Sequence, residues 1–90
     1  MKVLTAKSVT KALSKYPEKI KEQIFNHLLL LEDPYLAPDI ECLYPPKQVY
    51  RMHVGRTYTI IFEIHKESDT VYVLDLLPIG KAHKRYGRYF

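Results

Sequence analysis

The chain has 90 residues, 47% of them hydrophobic, and a formal net charge of +4. That length serves one small core, so residues 1–90 are expected to form a single domain. No run of roughly 18 apolar residues offers a membrane span, and the start MKVLTAKSVTKAL lacks the apolar stretch of a signal peptide. Cys42 is the only cysteine, which excludes an internal disulfide and a cysteine-built zinc site and suits a reducing cytoplasm.

In chain order, KVLTA (2–6) reads as a short strand. Ser8 is placed to cap a helix in which Val9, Ala12, Leu13 and Tyr16 recur at helical spacing. Pro17 suits the first position of a second helix, with Glu18 near its positive end. Ile20, Ile24, Leu28 and Leu31 then draw one apolar stripe, and Asp33-Pro34 stops the helix. The two helices form a hairpin with one buried side. PYLAPDIECLYPPK (34–47) carries four prolines and is expected to be a surface loop pinned to the core by Leu36, Ile40, Leu43 and Tyr44.

From Gln48 the period changes to two. Tyr50, Met52 and Val54 alternate with Arg51 and His53; Tyr58, Ile60, Phe62 and Ile64 alternate with Thr59, Ile61, Glu63 and His65. A two-residue loop between these strands would put polar residues beside apolar ones, because a slip of one residue turns every side chain over. A three-residue loop, Gly55-Arg56-Thr57, instead pairs Val54 with Tyr58, Met52 with Ile60 and Tyr50 with Phe62. KESDT is a second turn, and VYVLDLLPI is a third strand, apolar on both faces as a well-covered strand should be. The expected fold is α+β: a short N-terminal strand, a helical hairpin, then an antiparallel β-meander with the helices packed on one face. The other face carries Arg51, His53, Thr59, Glu63 and His65.

Charge is distributed unevenly. The last eleven residues, GKAHKRYGRYF, hold Lys81, Lys84, Arg85 and Arg88 and no acid, leaving ten cations and ten acids in residues 1–79. The excess therefore sits at one end, where its field reaches about a Debye length, ~8 Å at physiological salt. Arg51 and His53 lie two apart on one strand, about 6–7 Å from each other on one side. If the terminal segment folds back beside the sheet, His83, Lys84 and Arg85 join them. Such a cationic pocket with two imidazoles meets the needs of RNA cleavage without metal: a base for the 2′-OH, cations for the phosphate, and an acid for the 5′-oxygen. Histidine serves either proton step near neutrality, Arg and Lys supply electrostatic stabilisation, and Tyr86 or Tyr89 offers a base-stacking ring. No metal-ligand spacing and no Gly-rich phosphate loop is present, so neither metal nor cofactor is expected. His27, at the edge of the helical stripe, reads as structural and His65, beside a turn, as solvated. From the residues alone, the reading ends at a small basic α+β domain with a candidate anion site.

The layout as a whole resembles the RelE/ParE superfamily of toxins from type II toxin–antitoxin systems. VTKALSKYPEKIKEQIFNHLLLLEDP is similar to its helical hairpin and VYRMHVGRTYTIIFEIHKESDTVYVL to its sheet. PIGKAHKRYG resembles its closing Gly-His-Arg-x-x-x-Tyr segment. The resemblance implies a cytoplasmic toxin: RelE-like members cut mRNA in the ribosomal A site by 2′-OH attack without metal, and ParE-like members inhibit DNA gyrase without being enzymes. It also implies a cognate antitoxin partner, contact with operator DNA only through the antitoxin complex, and no membrane partner. On the RelE-like reading Arg51, His53, His83 and Tyr86 are the catalytic group, and Arg56, Lys81, Lys84, Arg85, Arg88 and Tyr89 bind RNA. Two positions depart from the pattern. Thr59 and Ala82 stand where cutting members commonly carry Arg; Arg56, His83, Lys84 or Arg85 can supply charge nearby, and an inactive nucleic-acid-binding relative is the other outcome.

Overall fold

A computed structural model describes residues 1–89, the side chain of Tyr89 excepted. The elements are β1 (Lys2–Thr5), α1 (Lys7–Ser14), α2 (Glu18–Leu30), β2 (Ile40–Tyr44), β3 (Val49–Val54), β4 (Tyr58–His65), β5 (Thr70–Pro78) and α3 (Ile79–Arg85). Short 3-10 turns occupy Pro45–Lys47 and Tyr86–Tyr89. The strands form one sheet in the order β1-β5-β4-β3-β2. β1 runs parallel to β5, and the other pairs are antiparallel. The meander read from the sequence is thus β3-β4-β5, with an added edge strand on each side. None of the described helices is long and apolar enough to cross a membrane.

The apolar stripe of α2 faces the sheet as its spacing requires. Ile24, Leu28 and Leu31, together with Val9 of α1, pack on Met52, Val54, Ile60, Phe62, Ile64, Val71, Val73 and Leu76. Pro17 lies one position outside α2 rather than inside it: its backbone is extended and its carbonyl accepts from the Ile20 and Lys21 amides. Ser8 is not the cap of α1. The cap position is Ala6, without a side-chain bond, and the Ser8 hydroxyl donates instead to the Leu74 carbonyl at 3.2 Å.

The hairpin register matches the alternation argument at each pair: Val54 opposite Tyr58, His53 opposite Thr59, Met52 opposite Ile60 and Arg51 opposite Ile61. Gly55 opens the three-residue turn at φ +60, the left-handed region where a side chain is strained. The stretch expected to be a loop holds β2, which pairs with β3 through Glu41–Arg51 and Cys42–Tyr50. Four prolines obscured it, yet none falls inside Ile40–Tyr44, and an edge strand needs partners on one side only. Leu36, expected to anchor the loop, is 81% exposed; Pro34 is the buried residue, and Ala37 and Ile40 pack on the core.

A bulge in β5 shapes the second face of the sheet. Phe62 pairs with Val73 but Ile61 pairs with Asp75, so Leu74 is an extra residue in the ladder. Strict alternation from Tyr72 would send Asp75 into the helix-covered core. The bulge reverses the alternation, so that Leu76 points to the core while Asp75 and Leu77 share the other face with Ile61 and Thr59. This is why the strand reads apolar on both sides. It gives α3 its seat, because Ala82 of α3 and Thr59 and Ile61 of β4 are all fully buried on that face.

Candidate functional site

Three segments build the site: β3 with its neighbour β2, the buried middle of β4, and the chain from α3 through Tyr86. The amide of Ile79 donates to the Thr57 carbonyl at 2.8 Å, which ties the start of α3 to the β3–β4 turn. Ala82 and Tyr86, one helical turn apart, then face the sheet. The terminal basic segment therefore lies on the face opposite α1 and α2, beside Arg51 and His53.

His53 is half-buried, and its Nδ1 lies 2.7 Å from Oγ1 of Thr59, its cross-strand partner. Burial is the main cause that pushes the imidazole pKa below 6.5. The Arg51 cation and His83 push the same way, and Asp39 and Glu41 oppose them. Near neutrality His53 is thus an uncharged imidazole. Arg51 points to the same face, its side chain only 17% exposed, and forms an ion pair with Glu41 of β2.

The Tyr86 hydroxyl is buried and makes no hydrogen bond of ordinary geometry. Thr59, whose hydroxyl also meets His53, is near enough to act on it. The phenol pKa is raised above 10.0, chiefly by burial and further by Glu41, with Arg51 and Thr59 opposing. Tyr86 therefore keeps its proton at neutral pH. The His83 ring meets it edge-on, with centroids 5.2 Å apart.

Of the other residues expected here, Arg85 leans on Asp75, Nη1 to Oδ2 at 3.9 Å. Lys81, Lys84 and Arg88 are exposed on the same segment, and Arg56 is exposed in the turn that α3 is tied to. The side chain of Tyr89 lies outside the described residues. His65, read as merely solvated, sits 3.0 Å from Glu63 and edge-on to Tyr72, while His27 Nδ1 donates within its own helix to the Gln23 carbonyl. Three contributors were missed: Glu41, Asp75, and Thr59 in its role as partner of His53. Glu41 stood in the proline-rich stretch, where IECLY shows no alternation to mark a strand or to pair it with Arg51. Asp75 needed the bulge, which one strand's sequence does not display.

Residues 4–81 match the family described as ParE toxin of type II toxin-antitoxin system, parDE. No curated protein matches. Among solved structures the chain is similar to the archaeal RelE of a RelE–RelB complex from Pyrococcus horikoshii, at 24% identity and TM-score 0.76 over 90% of this chain and 97% of that one. It is similar to a chain of the RelB–RelE antitoxin–toxin complex from Methanococcus jannaschii, at 25% identity and TM-score 0.68 over 90% and 95%. The isolated Escherichia coli RelE toxin superposes with TM-score 0.69 at 18% identity over 93% and 96%. With its helical hairpin, its five-stranded sheet and a match across most of its length, this chain belongs to the RelE/ParE superfamily of type II toxin–antitoxin toxins.

Proposed function

We propose that the chain is a metal-independent endoribonuclease that cuts ribosome-bound mRNA in the cytoplasm and so stops translation. The observation that carries this reading is His53: an imidazole held neutral chiefly by burial, with Arg51 and His83 acting in the same direction, anchored through Nδ1 to a buried hydroxyl, beside an arginine on the open face. A pure binding surface needs charge but no group titrating near neutrality.

In the tautomer this reading requires, Nδ1–H donates to Thr59 and Nε2 takes the proton of a ribose 2′-OH. The freed oxygen attacks the adjacent phosphorus, and Arg51 stabilises the charge that builds on the phosphoryl oxygens. The 5′-oxygen leaves with a proton from the imidazole of His83, which is exposed and whose ring is set by its edge-on contact with Tyr86, whose hydroxyl is buried. The products are a 2′,3′-cyclic phosphate and a 5′-hydroxyl. Lys81, Lys84, Arg85, Arg88 and Arg56 draw in and seat the RNA backbone. The similar archaeal RelE chains were solved as complexes with RelB, which supports a cognate antitoxin as the holding partner here, with operator DNA reached only through that complex.

Purified protein added to ribosome-bound mRNA should yield cuts with cyclic-phosphate ends, and His53→Ala should reduce them at least tenfold, the lower end of a proton-transfer contribution of roughly 10²–10⁴. Equal cutting by both proteins would remove His53 from the mechanism. A second reading, a non-enzymatic inhibitor of DNA gyrase, is favoured by the ParE family match and by Thr59 and Ala82, which are fully buried where cutting relatives commonly carry Arg. Intact mRNA together with gyrase supercoiling blocked at stoichiometric protein would select it.

A further inference from the structure

Arg51 does not face solvent as an unpaired cation. It lies opposite Glu41 in the β2–β3 register, and its Nη2 is bonded to Glu41 Oε2. The pair is asymmetric: the arginine side chain is 17% exposed and the glutamate 61%. The cation is fixed by its surroundings, whereas its counter-ion stands mostly in water and can swing away at little cost, because ion pairs with one solvated member are weak. A displaceable counter-ion on a fixed cation makes an incoming anion compete for the site.

We infer that Glu41 is a positioning residue that holds Arg51 in an internal ion pair and sets how strongly an RNA phosphate must compete for that guanidinium. This rests on the reading of the pocket as an RNA site. Glu41 works against phosphate affinity and also acts on the proton-transfer groups. The groups acting on His53 are Arg51 on its own strand, His83 on α3, and Asp39 and Glu41 around β2, with Thr59 of β4 as its hydrogen-bond partner. Of these, Glu41 and Asp39 favour the protonated imidazole. Removing the Glu41 charge therefore moves the acid limb of any His53-dependent rate to lower pH.

The test uses fluorescence anisotropy with a labelled single-stranded RNA oligonucleotide across a salt series, on wild type, Glu41→Gln, Arg51→Ala and the double variant. Glu41→Gln should bind about two- to fivefold tighter, the scale of a released exposed ion pair. Its log affinity should fall more steeply with log salt, by about 0.7, for one more phosphate neutralised. The double variant should match Arg51→Ala alone, showing that the effect passes through Arg51. Unchanged affinity and slope, a gain that persists without Arg51, or no binding by any of the proteins overturns the inference. On ribosome-bound mRNA, Glu41→Gln should lower KM, leave kcat within about twofold, and shift the acid limb of the pH profile downward. A tenfold or greater loss of kcat at constant KM would overturn it by making Glu41 a proton acceptor. If wild type cuts no RNA, the nuclease reading fails alone, and the anisotropy series still decides the role of Glu41.

Discussion

His53 carries opposite demands from its neighbours, and the balance has a consequence for stability. Its pKa is lowered in the fold, by burial first and then by Arg51 and His83. The unfolded chain, titrating near 6.5, therefore binds more protons than the folded one in the window between the two values, and stability rises with pH there. The contribution is fully present above pH 6.5 and is lost as pH falls through the folded value. Urea unfolding should accordingly show wild type losing stability between pH 7.5 and 5, and His53→Gln should lose less over the same range. Parallel losses in the two proteins would mean that groups other than His53 set the acid limb. At this scale the sequence was a good guide to direction. Alternation alone put Arg51, His53 and Thr59 on one face, since a period of two leaves a single register that buries Met52, Ile60 and Phe62. It gave no view of Glu41, because the partner of Arg51 is fixed by a non-local pairing between strands.

Among the elements, α3 and the β5 bulge depend on each other. The bulge at Leu74 turns Asp75 and Leu77 toward α3, Ser8 satisfies the bulge carbonyl, and Arg85 reaches Asp75. Ala82 is fully buried in that contact, and Gly80 and Gly87 have nothing within 4 Å of where a Cβ would sit, so the tight spot of the segment is Ala82. Ala82→Arg would place a long cation at a fully buried position. Overpacking typically costs 1–3 kcal/mol, and a buried unpaired charge adds to that. The expected outcome is not higher activity but a loosened α3: faster amide exchange across residues 79–85 and a lower Tm, with the β3–β4 amides protected as before. Unchanged protection of α3 would show that the segment accommodates the arginine at the surface. The return of the terminal segment to the sheet was legible in the sequence only as a condition, because cations and rings at a chain end suit a solvated tail equally well. The segment's helical form was not legible, since seven residues are too few to show a period. The strand β2 was hidden by the prolines on either side of it.

For the molecule as a whole, the placement of charge decides how an anionic polymer approaches. Residues 1–79 are balanced, and the excess of +4 lies in the last eleven residues. The fold divides those four cations: Arg85 is drawn to Asp75, whereas Lys81, Lys84 and Arg88 remain exposed on the segment that crosses the open face; Arg51, outside that excess, is held by Glu41. On the proposed nuclease reading, the long-range field and the pocket are carried by different residues: the exposed cations would steer and hold the backbone, and the half-buried group around His53 would act on it. Replacing Lys81, Lys84 and Arg88 together by Gln should leave Tm nearly unchanged, because exposed substitutions away from the core usually shift stability by no more than about 0.5 kcal/mol. RNA binding in the same variant should weaken at low salt and lose much of its salt dependence, with the slope of log affinity against log salt falling by about 0.7 for each phosphate contact removed, or roughly 2 in all. Single-turnover cutting at saturating RNA should stay close to wild type, since no residue assigned to proton transfer has changed. A large fall in that saturated rate would mean the exposed cations act at the reacting phosphate itself, and the division between steering and chemistry would have to be redrawn around them.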